Sequence, residues 1–233
     1  MIRFVTGIDT GIGKTVAVGL WAKYLADQNQ SVITQKIVQT GSQKPAEDIV
    51  VHRKLMEIPL VPEDVSGLTC PYIFPVPASP HLAARLSGQE IEPARITEAT
   101  ESLARIYDNL LIEGVGGLHV PLNDSVTVLD YLAERKYPTI LVTSSRLGSI
   151  NHTLMSMELL RSRSVPLLGL IYNRFENEDE RIVADSRTTF ERYLERFQFP
   201  DTIVDLCRVG NEGAQGREGE RVFGEAMAGA FGE

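Results

Sequence analysis

The stretch GIDTGIGKT, residues 7–15, follows a short apolar run and combines glycines with a lysine and a threonine. In the common phosphate-binding loop, G-x-x-x-x-G-K-[ST], four residues separate the two glycines. Here five residues separate Gly7 from Gly13, so the stretch is a variant of that loop. Glycines let the backbone approach an anion closely, and the N–H groups of the loop and of the following helix then face it. The stretch therefore predicts a binding site for nucleotide phosphates.

The residues of this loop suit different parts of a bound nucleotide. Lys14 is expected to reach the β- and γ-phosphates of ATP, and the hydroxyl of Thr15 is expected to ligate Mg²⁺. The other nucleotide contacts are expected from the loop backbone and the start of the helix, at Gly11, Ile12, Gly13 and Val16.

Short apolar runs without alternation recur along the chain, as in parallel strands that are buried on both faces. These runs are residues 2–6, 31–38, 109–113, 139–143, 167–172 and 202–206. Segments with helical spacing lie between them, at residues 14–27, 48–58, 93–107, 126–136, 149–161 and 179–197. The alternation predicts a doubly wound α/β fold of the P-loop NTPase type, with a mostly parallel sheet and helices on both faces, as a single domain over residues 1–233.

The composition argues against several classes of protein. The 233 residues carry 23 basic and 31 acidic side chains, a net charge of −8, so we expect no binding to nucleic acid or to anionic membranes. No apolar run approaches the roughly 18 residues of a membrane span. The first residues, MIRFVTG, read as the start of a strand and not as a signal peptide. Two isolated cysteines, Cys70 and Cys207, are typical of a reducing compartment, so we expect a cytoplasmic protein.

Two segments break the alternation of strands and helices. Residues 59–80 contain six prolines and no long periodic segment. A loop of this length in a compact domain is usually functional, although a rigid surface excursion explains it equally well. Near the C-terminus, the Gly- and Glu-rich stretch around residues 210–220 is expected to be loosely ordered.

Candidate active-site residues follow the predicted strands, because the carboxyl ends of parallel strands meet at one edge of the sheet, beside the phosphate loop. Lys36 and Thr40 follow the second strand. A lysine at the end of a buried strand is costly unless it points into a wet, anionic cleft, or snorkels to solvent. Asp48 opens the next helix, where the helix dipole alone favours an acid. On the residues alone, Asp48 is therefore better explained as a helix-start acid.

Glu113 directly follows a run of mainly apolar residues and precedes Gly114 and Gly116. An acid in this place, followed by glycines that allow a close backbone approach, is similar to the carboxylate of a Walker B motif. Asn173 ends a later strand, where its amide can contact a base edge or form an Asx turn. The four histidines have no metal-ligand spacing and are expected to be structural or to lie at the edge of the substrate; they are His52, His81, His119 and His152.

Taken together, these residues resemble the dethiobiotin synthetase family over residues 2 to about 173. The motifs that carry the resemblance are G-x-D-T-x-x-G-K-T, Lys36 with Thr40, Asp48, PYIFPVPASPHLAA at 71–84, EGVGG at 113–117, RLGSINH at 146–152, and Asn173. The PASPH and LGSINH segments are the most specific, because nucleotide binding alone does not require them.

The resemblance implies a reaction and a set of site residues. The implied reaction closes 7,8-diaminopelargonate and CO₂ into dethiobiotin with ATP and Mg²⁺, through a carbamate and a carbamic–phosphoric mixed anhydride. The implied catalytic residues are Lys36, Lys14 and Thr10, and those implied for Mg²⁺ are Thr15, Asp48 and Glu113. Further nucleotide contacts are implied at Glu113, Gly114, Val115, Gly116 and, for the adenine, Asn173. Substrate contacts are implied at Thr10, Lys36, Thr40, Gly148, Ser149, Ile150 and Asn151.

The family is homodimeric, which bears on the segment RLGSINH. Gly148 and Ser149 leave backbone N–H groups free at the start of a predicted helix, and such a helix start binds carboxylates. The substrate implied by the resemblance has a carboxylate far from its reacting amines. We therefore expect the helix start of the neighbouring subunit to hold that carboxylate, so that the substrate site is shared across the interface.

The sequence also departs from the family and allows other interpretations. KIV stands where KPV is usual after Lys36, and the late segment G-x-I-P is absent, with Arg208 where a proline is expected. Adenosine contacts in residues 205–215 therefore stay open, with Glu212 as a weak candidate.

The main alternative is a nucleotide-dependent switch ATPase of the partition or septum-positioning type. Asp9 stands where those proteins carry a second lysine, which disfavours that alternative. A small-molecule kinase is disfavoured because an arginine-rich lid segment is absent.

Overall fold

A computed structural model shows the chain as alternating strands and helices, and it describes residues 1–174, 179–206 and 214–232. The strands are β1 (Ile2–Gly7), β2 (Val32–Lys36), β3 (Gln39–Thr40), β4 (Ile73–Phe74), β5 (Asn109–Glu113), β6 (Thr139–Ser144), β7 (Leu167–Asn173) and β8 (Ile203–Leu206). The helices are α1 (Lys14–Asp27), α2 (Glu47–Leu55), α3 (Pro62–Ser66), α4 (Pro80–Leu86), α5 (Pro93–Ala104), α6 (Val128–Arg135), α7 (Ser149–Ser162), α8 (Glu180–Phe197) and α9 (Ala214–Phe231).

Six of the strands form one parallel sheet in the order β2-β5-β1-β6-β7-β8. All residues of β2 and β6 are buried, as expected for strands that are covered on both faces. The apolar runs of the sequence therefore correspond to these strands, and the predicted doubly wound α/β class is confirmed.

The second strand is shorter than predicted. It was expected to reach residue 38 but ends at Lys36, which pairs in register with Glu113. The backbone N–H of Lys36 then bonds to the carbonyl of Thr69 at 2.8 Å, and Gln39–Thr40 pairs with β4 in a separate two-stranded sheet. The chain leaves the main sheet at this point, and Lys36 and Glu113 lie side by side at its carboxyl edge.

Local backbone chemistry fixes the helix ends. The hydroxyl of Thr127 accepts a hydrogen bond from the N–H of Asp130, whose carboxylate accepts the N–H of Thr127 in return. This capping box starts α6 at Val128, two residues later than predicted. Helix α2 ends at Leu55, earlier than predicted, and Glu57 adopts a left-handed conformation just beyond it. In the described ranges, no helix combines the length and apolar character that crossing a membrane requires.

The proline-rich segment 59–80 is tied to the rest of the fold by a buried carboxylate. It contains α3 and β4, and α4 begins at its last residue, Pro80. Asp64 on α3 is buried and forms two hydrogen bonds of 2.9 Å with Arg53 on α2. The segment is therefore anchored to α2 through a buried ion pair.

The C-terminal region ends in a helix. Loose order near residues 210–220 stays a prediction, and the chain is helical from Ala214 to Phe231. Phe223, Met227 and Phe231 recur at helical spacing and are buried, and this apolar stripe stabilises α9 despite its glycines and glutamates. Residues 210–213 lie outside the described residues, as do Cys207 and the two positions discussed for late adenosine contacts, Arg208 and Glu212.

Candidate active site

The glycine-rich loop connects β1 to α1 at the centre of the sheet. Gly13 precedes α1 with a φ of 106°, a left-handed conformation that favours glycine. A Cβ at this position would lie 2.9 Å from Nδ2 of Asn173, so a larger residue would not fit. Helix α1 has no side-chain N-cap and no acid in its first turn. Its N-terminal N–H groups and its dipole therefore favour an anion in the loop.

Lys14 is buried in this loop. Its Nζ donates a hydrogen bond of 2.8 Å to the carbonyl oxygen of Asp9. Burial, together with the nearby charge of Lys36, lowers the pKa of Lys14 to about 8. An anion bound in the loop would stabilise the charged ammonium.

Lys36 lies between two carboxylates. Its Nζ is 2.7 Å from Oδ2 of Asp48 and 2.8 Å from Oε1 of Glu113, and it donates a further bond of 2.9 Å to the carbonyl of Gly114. Burial by itself lowers the pKa of Lys36, but the charges of Glu113 and Asp48 outweigh burial and hold that pKa above its ordinary value. Because the lysine is buried, the alternative that it snorkels to solvent is excluded.

Glu113 is the polar centre of the cleft. Its Oε1 accepts from Lys36 and, at 2.9 Å, from the hydroxyl of Thr15, while its Oε2 lies 2.9 Å from Nε2 of His52. Burial by itself raises the pKa of Glu113, but the charge of Lys36 and the contact with His52 outweigh burial and hold it well below its usual range. The carboxylate is therefore ionised although it is buried.

The side-chain oxygens around Lys36 are of the chemical type that binds Mg²⁺. Thr15, Asp48 and Glu113 contribute one hydroxyl and two carboxylates, the hard oxygen donors that Mg²⁺ prefers. Among the described residues, no three His, Cys, Asp or Glu side chains gather to hold a metal by themselves. Such an incomplete set suits Mg²⁺, which usually keeps waters and takes phosphate oxygens as further ligands.

These residues line one cleft of about 880 Å³. Its walls include the loop and helix start (Thr10, Gly11, Ile12, Gly13, Lys14, Thr15, Val16), the strand-end residues Lys36, Thr40, Asp48 and Glu113, the loop residues Val115 and Gly116, and Pro77–Pro80. The volume is within the usual range for a small-molecule site. Most of the predicted nucleotide, metal and substrate residues are thus brought together in one place.

Comparison with known proteins identifies the family. A protein-family model described as an AAA domain matches residues 3–207. The ATP-dependent dethiobiotin synthetase BioD 2 of Pasteurella multocida is 49% identical over 205 residues, covering 88% of this chain and 96% of the relative. The ATP-dependent dethiobiotin synthetase BioD of Chlorobaculum tepidum is 48% identical over 207 residues, covering 88% of this chain and 87% of the relative. This chain belongs to the ATP-dependent dethiobiotin synthetase family. The resemblance found in the sequence motifs is therefore confirmed.

Similar solved structures agree with the fold of this dethiobiotin synthetase family member. A ParA family ATPase from Chlorobium tepidum has a TM-score of 0.53 at 16% identity, covering 98% of this chain and 92% of that one. The MinC:MinD cell division protein complex of Aquifex aeolicus gives a TM-score of 0.52 at 15% identity, with 95% and 86% covered. At such low identity the similarity shows a shared fold. It does not show that this chain shares the activities of those proteins.

Three groups of predicted site residues do not line the cleft in this family member. The first is Gly114, whose carbonyl accepts a hydrogen bond of 2.9 Å from Nζ of Lys36. Asn173 lies behind the loop, where its Nδ2 donates to the carbonyl of Ile12 at 3.0 Å. The four positions from Gly148 to Asn151 start α7 outside the lining of the cleft. Ser149 is buried there, with its Oγ 2.9 Å from Oγ of Ser144. The structure therefore places these residues near the loop or beyond it, and their roles stay predictions.

Sequence reasoning did not single out two features of the site. Arg146 forms an ion pair with Asp9, which ties the start of α7 to the glycine-rich loop. His52 was expected to be structural or at the substrate's edge, but it is fully buried and contacts Glu113. A signal for His52 was present, because it lies four residues after Asp48 and so shares a helix face with it.

Proposed function

We propose that this chain, an ATP-dependent ligase of the dethiobiotin synthetase family, converts 7,8-diaminopelargonate and CO₂ into dethiobiotin with ATP and Mg²⁺. One observation carries the proposal. Two buried ammonium groups, of Lys14 and Lys36, lie in one cleft beside the phosphate loop of a chain that is otherwise acidic. Such a concentration of positive charge suits a reaction between two anions, a carbamate and the γ-phosphoryl group of ATP.

The proposed reaction has three steps. One substrate amine adds to CO₂ and loses a proton, which gives a carbamate. A carbamate oxygen attacks the γ-phosphorus of ATP, and ADP leaves. The second amine attacks the carbonyl carbon of this mixed anhydride, and phosphate leaves as the ring closes. The substrate supplies both nucleophilic amines, so the protein mainly has to position anions and stabilise their charge.

The roles proposed for the residues follow from their places in the cleft. Lys14 and the N–H groups of the loop hold the phosphates, and Thr10 and Thr40, which line the same cleft, contact the substrate. Thr15, Asp48 and Glu113 would hold Mg²⁺, which when bound neutralises phosphate charge. In the described structure, the ammonium of Lys36 contacts carboxylate oxygens of both Asp48 and Glu113. If these oxygens held a metal, Lys36 would lose them as partners and its ammonium would be available to the carbamate.

The proposed site is completed by a second copy of the chain. Helix α7 starts after Gly148, whose φ is 94°, and it has no side-chain cap and no acid in its first turn. Leu147, next to this helix start, is fully exposed. Because residues 148–151 do not line the cleft of their own chain, we propose that they hold the substrate's carboxylate in the neighbouring subunit of a homodimer.

The activity is tested with purified protein, the diamine, ¹³C-bicarbonate and MgATP. We expect a ¹³C signal of the cyclic urea, formed together with one ADP per ring and only when every component is present. Hydrolysis of ATP at the same rate without the diamine, and no labelled urea, would overturn the proposal in favour of a nucleotide-dependent switch.

A further inference from the structure

A line of buried polar side chains extends from the candidate metal site into the protein. His52 on α2 has no exposed surface, and its Nε2 lies 2.9 Å from Oε2 of Glu113. Its Nδ1 lies 3.0 Å from Oγ1 of Thr34 on β2. Neither Nε2 of His52 nor Oε2 of Glu113 forms a hydrogen bond of good geometry among the described residues. Each of these buried atoms is therefore the natural partner of the other.

The chemistry of the neighbours determines which ring nitrogen carries the proton. The carboxylate of Glu113 can only accept, so Nε2 has to carry the proton that faces it. Arg53 can only donate, and its Nη1 donates to Oγ1 of Thr34 at 2.8 Å. The hydroxyl of Thr34 therefore donates its own proton, and Nδ1 of His52 accepts it. Both ends of the line thus select the same tautomer, with the proton on Nε2.

The far end of the line is rigid. Asp64 accepts from Nε and Nη2 of Arg53 at 2.9 Å each, from the hydroxyl of Thr69 at 2.8 Å, and from the backbone N–H of Val61 at 2.9 Å. The side chains of this cluster are buried, so Arg53 cannot turn away and Thr34 keeps its orientation.

The near end of the line is not yet aligned. The N–H of the His52 ring does not point straight at Oε2 of Glu113, although the two atoms are 2.9 Å apart. The other oxygen, Oε1, is held by Lys36 and Thr15. A small rotation of the carboxylate would bring Oε2 into line with Nε2, while Oε1 stays on the side of Thr15 and Lys36, which line the cleft.

We propose that His52 is a positioning residue that holds Oε2 of Glu113, so that Oε1 alone is presented to the metal, and that Thr34 and Arg53 fix its tautomer. Carboxylates that ligate metals are commonly oriented by such an outer hydrogen bond, and its loss typically costs about 10- to 100-fold in metal affinity. This inference rests on the proposed Mg²⁺ site, and its test keeps the two claims apart.

The first test measures binding of Mg²⁺ to the ADP-saturated protein by calorimetry. His52→Leu removes the donor, whereas His52→Gln keeps an N–H group at a similar reach. We expect a roughly 10- to 100-fold weaker affinity for Mg²⁺ with His52→Leu and a change of only about a few-fold with His52→Gln. Binding of ADP without metal should be equal in both variants and the unaltered protein. Unchanged Mg²⁺ affinity in His52→Leu, or equal losses in both variants, would overturn the inference.

Glu113→Gln separates this outcome from a failure of the proposed function. If Glu113→Gln leaves Mg²⁺ binding unchanged, the metal site itself is wrong. If Glu113→Gln weakens Mg²⁺ binding and His52→Leu does not, only the role of His52 is wrong.

The second test reads the tautomer in the folded protein and needs no loss-of-donor variant. Long-range ¹H–¹⁵N NMR of histidine-labelled protein, assigned with His52→Gln, should show His52 protonated at Nε2 and not at Nδ1. Thr34→Val removes the hydroxyl and should weaken this preference, whereas Thr34→Ser keeps the hydroxyl and should preserve it. A proton on Nδ1 with bare Nε2 in the unaltered protein would contradict the inference.

Discussion

At the scale of single residues, Lys14 is predicted to make nucleotide binding depend on pH. Its pKa in the described structure is lowered to about 8 by burial and by the charge of Lys36. A bound nucleotide phosphate stabilises the ammonium and so raises that pKa. We therefore predict that ADP binding takes up a proton near pH 8 and that its affinity falls as the pH rises above about 8. Calorimetry in two buffers of different protonation enthalpy measures this proton uptake.

Lys14→Arg is the matched control for this prediction. Arginine stays charged throughout this pH range, so its binding of ADP should show no proton uptake near pH 8. The same proton uptake in Lys14→Arg, or none in the unaltered protein, would assign the effect to another group.

Lys36 is predicted to act in catalysis and not in nucleotide binding. Its Nζ contacts Asp48 and Glu113, and the described structure shows it as a counterion of these carboxylates. We expect Lys36→Gln to lower the rate of ring closure by roughly 10²- to 10³-fold, because it removes charge from the transferring group. Affinity for MgADP should stay the same or rise, since the carboxylates lose a competing cation.

The control for this substitution is Lys23→Gln, which removes a lysine whose ion pairs are with the exposed side chains of Asp27 and Glu57. It should leave both turnover and MgADP affinity unchanged. Equal loss of both quantities in Lys36→Gln would mean that Lys36 is a nucleotide ligand or a structural residue.

The chemistry of single residues determined which parts of this site could be predicted from the sequence. Lys36 and Glu113 were found because a charge at the end of an apolar strand is conspicuous in the sequence. The sequence shows that His52 shares a helix face with Asp48, but its contact with Glu113 depends on how α2 packs against the sheet, which one sequence does not show. Asp48 was best explained alone as a helix-start acid, and the structure shows that its carboxylate also contacts Lys36.

At the scale of elements, the glycines of α9 differ sharply in their surroundings. A Cβ on Gly224 would lie 2.4 Å from Cβ of Tyr24 on α1, whereas a Cβ on Gly229 would meet nothing within 4 Å. We predict that Gly224→Ala destabilises the fold by about 1–3 kcal/mol through overpacking. Gly229→Ala should stabilise it by up to about 1 kcal/mol, because alanine favours a helix interior over glycine.

Urea denaturation of the two variants beside the unaltered protein measures both effects. Equal free energies of unfolding for the two variants would mean that α9 does not pack on α1 through Gly224.

The same helix shows why some elements could not be predicted. Short apolar runs identified the six strands of the sheet, because a strand that is buried on both faces is apolar along its length whatever packs against it. Helix α9 carries only a narrow apolar stripe among glycines and glutamates, and its burial depends on the surface that α1 offers. The composition favours loose order near residues 210–220, whereas the packing of the apolar stripe favours the helix that begins at Ala214.

At the scale of the whole molecule, the cleft of one chain contains the phosphate loop and the oxygens proposed for Mg²⁺, whereas the proposed carboxylate site at the start of α7 lies outside it. The start of α7 is joined to the loop by the ion pair of Arg146 with Asp9, yet residues 148–151 do not line the cleft. The shared site was expected only from the family resemblance, because residues at an interface between two chains follow no periodic rule that a single sequence shows. The composite site therefore stays a prediction, and it can be tested with mixed dimers.

If each site combines one chain's loop with its neighbour's helix start, two different inactive variants should rescue one another. Lys14→Ala removes charge from the phosphate loop and should cost roughly 10²- to 10³-fold in turnover. Gly148→Glu places an acid at the helix start and should repel the substrate's carboxylate, leaving nucleotide binding intact.

In a mixed dimer, one of the two sites then carries both substitutions and the other carries neither. Subunit exchange should therefore restore up to about a quarter of normal activity in a 1:1 mixture, because half of the dimers are mixed and each has one intact site. Two differently tagged variants show directly whether mixed dimers form. Mixed dimers that form and stay inactive would place the carboxylate site within a single subunit.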